Sequence, residues 1–524
     1  MDGALVHALS AIPPPSSKEG NSIAISGRGE IAVLSEQRLY FATLQDHGEN
    51  SSNLIREADI DPADLIGIHH IEFIVDFGDS KLLLWGDRRI GIVAFNTRNF
   101  PSEKKIPANF TLLLKEYFCN LSADQRIVHC APHPESSRHV GVLLCSGPFL
   151  VINSSGDQSY EGFQLDLRRS YASFAFSSGK GWMRWTVYLL SADGRISYLC
   201  PVIPKGIHVS KEIPQELEVW IGELQAQSRR VSEIEEYTAL TSAFVRSVFG
   251  SSTLTLPQPS FIPQLQDPLI ANAKSSYKRI NDIRCIGIGG LEVPLIAAVT
   301  EEGEVLSFVL TEEPCPLWSS FNGQAPYPLP EALLIERIAV RDAVPEGAAA
   351  LSKLAAERSW CLKPDPLVRH AVHVIGATSC SSFLVSLDWL PELSNLEPSR
   401  SKVYLTFLEE NPSSCVPVFA NVGENITLSG VALAANPLFG HFALFRSSIG
   451  TMAMVNLSVH LKLCSLMLKL GATKRQMAAS SGLSDGVPIE TLNMLTDSLL
   501  KGIYEGINST PSSIAGSNEE VGCT

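Results

Sequence analysis

Between Tyr171 and Pro204 the chain reads as three strands and their turns, and this pattern limits the possible fold more than any other stretch. Tyr-Ala-Ser-Phe-Ala-Phe (171–176) is followed by a Ser/Gly/Lys loop and by Trp185-Thr-Val-Tyr-Leu-Leu190. A turn at Ser191-Ala-Asp-Gly194 then leads into Arg195-Ile-Ser-Tyr-Leu-Cys200. Asp193-Gly194 supplies the positive-φ positions of a short hairpin. β-Branched and aromatic residues fill the strands, and Gly and Pro bound them. Trp185 to Leu190 is apolar or aromatic at nearly every position, which predicts a strand covered on both faces. Antiparallel hairpins buried in this way belong in stacked sheets, of which a propeller blade is the simplest.

The unit recurs. It returns in the opening stretch (Ile23–Ser26, Ile31–Leu34, Leu39–Leu44) and at Ile68–Val75, Lys81–Trp85 and Ile90–Phe95. Further copies span Arg126–Asn153, Arg284–Leu310 and Ile426–Val455. Self-similarity of this kind predicts an all-β repeat fold of four-stranded blades, a β-propeller. The period is irregular and carries no Trp-Asp signature, so an ordinary WD40 chain is not expected. Residues 1–20, with Pro13-Pro-Pro15, read as a flexible lead-in, 21–457 as the propeller, 458–507 as a helical tail, and the Ser/Gly/Asn-rich 508–524 as disordered.

Two insertions switch to helical period, about 212–250 and 345–361. In the first, Ile234, Tyr237, Leu240, Phe244 and Val248 form one apolar stripe. In the tail, Leu492, Leu495, Leu499 and Ile503 form another behind Pro488. Both stripes are candidate partner-binding faces of the helix-in-groove kind. The alternative is that each covers a face of its own propeller.

Composition narrows the function classes. Of the 524 residues 45% are hydrophobic and 18% charged, enough for a large core and incompatible with wholesale disorder. A net charge of −14, with no Lys/Arg cluster, argues against a nucleic-acid surface. Eleven scattered cysteines without a CxxC pair read as reduced thiols. The first residues lack a basic region ahead of an apolar core, so no signal peptide is expected, and no apolar run of about 20 residues predicts a membrane span.

The inventory of reactive groups is thin. His129, Cys130 and His133 cluster, but a zinc site needs a fourth ligand at matched spacing, so strand-end packing is the expectation. Gly287-Ile-Gly289-Gly290 echoes a dinucleotide loop, yet Leu291–Val299 reads as strand where a helix is required. Ser146-Gly147 and Ser178–Gly181 lack the context of a nucleophile elbow or P-loop. His69-His70 opens a strand, which predicts one ring inward and one outward. Glu235-Glu236, Glu301-Glu302 and Glu409-Glu410 read as solvated charge. Hence no catalytic, metal or cofactor residue is expected.

Laid end to end, the units resemble the N-terminal propeller of the nucleoporin family of eighty-eight-kilodalton animal and eighty-two-kilodalton fungal members. The likeness is carried by Ile71–Phe95, with its Leu-Leu-Leu-Trp strand, and by Ile127–Asn153, with His-Val-Gly-Val-Leu-Leu. Tyr171–Pro204, Cys285–Leu310 and His370–Ile375 leading to Leu387–Leu390 continue it in order. The resemblance implies seven blades and a non-catalytic scaffold on the cytoplasmic side of the nuclear pore. There it would anchor phenylalanine-glycine-repeat nucleoporins and support export of messenger RNA and protein transport. It also implies a long C-terminal coiled coil, whereas residues 458–524 hold no sustained heptads. Two other readings of the residues stand beside it: a propeller subunit of another assembly, such as a vesicle coat, or a propeller enzyme. The enzyme predicts polar groups converging from several blades in the central channel.

Overall fold

The computed structural model describes residues 3–15, 20–44, 54–74, 80–95, 105–155, 159–204, 207, 209–227, 232–249, 262–266, 279–287, 295–321, 325, 327–340, 360–385, 413–420, 426–466 and 468. Strands dominate, as the density of β-branched and aromatic residues requires. The first meander is β1 (Ile23–Ile25), β2 (Glu30–Ser35), β3 (Arg38–Thr43) and β4 (Arg56–Asp59). The second is β5 (His70–Ile74), β6 (Ser80–Trp85), β7 (Ile90–Phe95) and β8 (Lys105–Leu112). Then come β9 (Ile127–His133), β10 (Ser136–Leu144), β11 (Phe149–Asn153) and β12 (Tyr160–Phe163). The central stretch supplies β13 (Tyr171–Phe176), β14 (Val187–Ser191) and β15 (Ile196–Leu199). After an insertion follow β16 (Ile280–Ile286), β17 (Leu295–Thr300), β18 (Glu304–Leu310) and β19 (Ala332–Ala339). The last groups are β20 (Cys361–Pro364), β21 (Ala371–Ile375), β22 (Ser379–Leu384) and β23 (Ser414–Ala420), then β24 (Leu428–Asn436), β25 (Gly440–Ser447) and β26 (Met452–Asn456).

These strands form six hydrogen-bonded sheets among the described residues. Five are single meanders; the sixth has eight strands in the order β1-β2-β3-β4-β8-β7-β6-β5. It arises because the outer strands β4 and β8 pair in parallel, Ala58 opposite Ile106, joining two four-stranded meanders edge to edge. The separate sheets therefore number six, not seven, and a period read from the sequence has no means of showing this lateral join. The three-stranded sheet β13–β15 gains an outer partner where Tyr198 and Gln266 exchange backbone bonds of 3.1 and 2.9 Å. The first strands β1, β5, β9, β13, β16, β20 and β24 all line one central cavity of about 1530 Å³. That radial arrangement is propeller-like. Apolar clusters fill the wedges between neighbouring sheets, as where Leu83 and Ile92 meet Val140 and Ile152.

Turn chemistry follows the residues. Gly194 sits at φ 86° in the turn between β14 and β15. Gly303 sits at φ 78° between β17 and β18, where a Cβ would lie 2.5 Å from the Trp360 ring. Only glycine meets both demands.

Several expectations need correction. Residues 1–20 are not a loose lead-in throughout, since Gly3–Ser10 forms helix α1, whose Leu5 and Leu9 are buried. Two apolar residues four apart share a helix face and reach the core together. Strand β14 begins at Val187, because Met183–Trp185 makes a 3₁₀ turn first. A short helix α2 (Lys115–Cys119) and strand β23 carry no clear periodic signal. Residues 457–466 are helical. The helical reading of 345–359, the strand at 403–408 and the stripe Leu492, Leu495, Leu499 and Ile503 lie outside the described residues.

Candidate functional site

The central cavity has a mixed polar and apolar lining, with charged groups on β5, β16 and β20 among them. Asp282 on β16 is its best-bonded member. Its Oδ1 accepts from Ser173 Oγ on β13 at 2.5 Å, from the Ile283 amide at 2.9 Å and from Arg284 Nη1 at 2.8 Å. Its Oδ2 accepts from the Leu362 amide on β20 at 2.9 Å. One carboxylate thus ties three sheets together. A buried charge needs this density of partners to be tolerated.

His129 on β9 adds the fourth sheet. Its Nδ1 lies 3.2 Å from Ser173 Oγ and its Nε2 lies 3.4 Å from Arg284 Nη2. Ser173 has one hydroxyl proton, which it donates to the Asp282 carboxylate, and the Phe174 amide lies 3.4 Å from His129 Nδ1. Burial, reinforced by the Arg284 charge, holds the His129 pKa well below the usual histidine value. The imidazole is neutral. Nucleophile activation runs the other way: a base takes the serine proton, and an acid orients the base. Here the carboxylate accepts from the serine directly, and the cluster joins sheets.

Glu72 on β5 faces the open space of the channel yet is walled in by the surrounding strands. That enclosure raises its carboxyl pKa, while Lys363 and Arg284 pull it down. Lys363 on β20 donates to the Val431 carbonyl of β24 at 2.6 Å, and burial lowers its pKa. Charges of both signs therefore balance across the channel.

A second cluster has the right order for a triad. Asp365 Oδ2 is 2.7 Å from His373 Nε2, and His373 Nδ1 is 3.0 Å from Ser382 Oγ. His441 Nε2 also lies 2.9 Å from Asp365 Oδ2. Asp365 Oδ1 accepts from the Leu367 and Val368 amides at 2.9 and 2.7 Å. Burial pushes the Asp365 carboxyl up, but bonds from His373, His441 and the Val368 amide outweigh it and hold the group well below the carboxylate range. His373 and Ser382 have no exposed surface, so no substrate can reach them. They lock β20, β21 and β22 to β25.

The histidines singled out in the sequence are packing groups. His129 lies against Phe174 and His133 against Phe176, with ring centroids 4.7 and 4.8 Å apart, while Cys130 points into an apolar wedge. His69 and His70 do not split inward and outward: both are half-buried with rings 4.9 Å apart, and His70 stacks on Trp85 at 4.8 Å. Strand alternation starts only at His70, so His69 does not obey it.

The helical insertion holds α3 (Glu212–Gln227) and α4 (Ser232–Phe249). Tyr237 and Phe244 are buried, and Leu240 and Val248 are half-buried against the same cluster. Tyr237 OH donates to the Pro316 carbonyl at 2.7 Å, Phe244 lies 4.7 Å from the Trp318 ring, and Trp318 Nε1 donates to Thr241 at 3.1 Å. Ile234 is half-buried at the start of α4. The stripe Ile234, Tyr237, Leu240, Phe244, Val248 is therefore turned onto its own propeller, the second of the two readings that the sequence leaves open. A single period cannot tell an inward stripe from an outward one. The exposed side of the hairpin carries Glu212, Glu218, Glu223, Glu235 and Glu236. No described helix is long and apolar enough to cross a membrane.

Comparison with solved structures finds the same arrangement of sheets. The Nup82 N-terminal domain of Chaetomium thermophilum, solved with the Nup159 tail and the Nup145N APD, matches with a TM-score of 0.67 over 87% of this chain and 97% of that chain, at 15% identity. The fold is that of a Nup82-type nucleoporin propeller. A yeast Nup82-Nup159-Nup116 complex matches with a TM-score of 0.56 over 83% of this chain and 97% of the solved chain, at 14% identity. In sequence, 139 residues are 27% identical to the nuclear pore complex protein NUP88 of Arabidopsis thaliana. That segment is 24% of this chain and 17% of the relative. No family model matches. The resemblance read from the ordered hairpins is met again in both kinds of comparison.

Proposed function

We propose that the protein is a non-catalytic scaffold of the nuclear pore complex, on its cytoplasmic side, that docks other nucleoporins and supports messenger RNA export and protein transport. The observation that carries this reading is the match to a Nup82 propeller over nearly the whole solved domain, in a complex with Nup159 and Nup145N segments. The joined eight-stranded sheet counts as two blades, giving seven around the channel. The partners are other nucleoporins, including phenylalanine-glycine-repeat members, and no cofactor or metal is required. Polar groups converging in the channel were the signature expected of a propeller enzyme, but Asp282 and Lys363 there bond across sheets, which favours the scaffold. A fluorescent fusion of the full chain should mark the nuclear rim. Diffuse cytosolic signal, or signal on vesicle coats, would refute the assignment.

A further inference from the structure

The N-terminal arm crosses the seam between the first and last meanders. Leu5 and Leu9 of α1, with Ile12 beyond it, are buried against Met452 and Phe442 of the last sheet and Ile23 and Ile31 of the first. Its polar contacts are few. The Met452 amide donates to Ser10 Oγ at 3.1 Å, and Ser35 Oγ donates to the Pro13 and Pro14 carbonyls at 2.6 and 2.9 Å. Under the arm lies Arg446 on β25, with no exposed surface. Its Nη1 donates to the Leu34 carbonyl of β2 at 2.7 Å and its Nη2 to the Pro13 carbonyl of the arm at 2.5 Å. Nε has no partner among the described residues, and the acceptors of this cation are backbone carbonyls. Burial pushes its pKa down to about 10, so the group is still charged at neutral pH.

We infer that residues 3–15 are a strap that holds the ring closed, fastened by the Arg446 guanidinium, which spans the last sheet, the first sheet and the arm. The physics is asymmetric. A buried cation with two carbonyl acceptors is tolerable, and the same cation with one of them gone is a liability. The arm and Arg446 therefore depend on each other. The seam beneath has bonds of its own: the Ser22 amide and hydroxyl both donate to the Ser429 carbonyl at 3.1 Å, the Val431 amide donates to Asn21 Oδ1 at 2.9 Å, and Asn436 Nδ2 donates to the Gly27 carbonyl at 3.0 Å.

The test is amide hydrogen exchange on the full chain and three variants. Leu9→Glu places a charge in the arm's buried face and should loosen it. Exchange in β1 and β24–β26 should rise at least tenfold, while β9–β11 stay as in the parent. Arg446→Met removes the fastening without leaving a charge and should give the same local rise. Because the two act through one contact, the combined variant should exchange at the seam no faster than Leu9→Glu alone. Two rises that multiply independently, or a rise spread evenly over every sheet, would overturn the strap. If Leu9→Glu does not fold, Arg446→Met decides alone: acceleration confined to the seam supports the strap, and an unchanged or uniform pattern contradicts it.

Discussion

Asp282 gathers donors from three sheets, and two of its four partners are remote in the chain: Ser173 is 109 residues away and Leu362 is 80. No local pattern announces such a contact. Asp282→Ala should cost about 1–3 kcal/mol, because the buried Ser173 hydroxyl and Leu362 amide lose their acceptor; urea unfolding measures this, and a loss under about 0.5 kcal/mol would show that the cluster is ornamental. The histidines set the response to acid. Burial lowers the His133 pKa to about 4, from 6.5 when unfolded. Between those values the unfolded chain binds the proton and the fold does not, so stability falls as pH drops from about 7 to about 4, by about 3 kcal/mol for this residue. Asp365 acts lower still: its depressed pKa gives stability that is present above about pH 4 and lost as pH falls further. The urea midpoint should therefore decline steadily below pH 7, and a midpoint flat from pH 7 to 5 would contradict neutral buried histidines.

Hairpins were legible because their information is local: alternating apolar residues, a Gly at a positive φ, and β-branched strands. Gly194 sits where the turn read from the sequence places it, and Gly303 holds the same left-handed backbone in its own hairpin. Gly303→Ala should lower stability by about 1–3 kcal/mol, since the left-handed backbone and the Trp360 ring both resist a Cβ. Helix α4 was legible as a helix, but its direction was not. An inward stripe and an outward one share the 3.6-residue period, and only Trp318 and Pro316, some 80 residues on, decide between them. Phe244→Ala should destabilise the propeller by about 3–5 kcal/mol, as a buried aromatic deletion does. Ile234→Ala, at the half-buried start of the helix, should cost well under half as much. Equal effects in thermal unfolding would mean that the stripe does not lean on its own core. Helix α1 escaped notice because eight residues carry too few turns for a periodic signal.

Among the described residues, the sheets surround a channel in which Asp282 and Lys363 bond from one sheet to the next. The outside presents acidic helix faces, and seven first strands frame the channel. The lateral join of β4 with β8 makes the first two meanders a single sheet, a feature fixed by parallel pairing between segments about 50 residues apart and invisible to any local reading. The most direct test of the scaffold role is affinity purification of the full chain from its own cells, with the recovered proteins quantified. Nucleoporins of the Nup159 and Nup145N or Nup116 types should come with it in near-stoichiometric amounts. Recovery of a vesicle-coat set instead, or of the chain alone, would contradict the account.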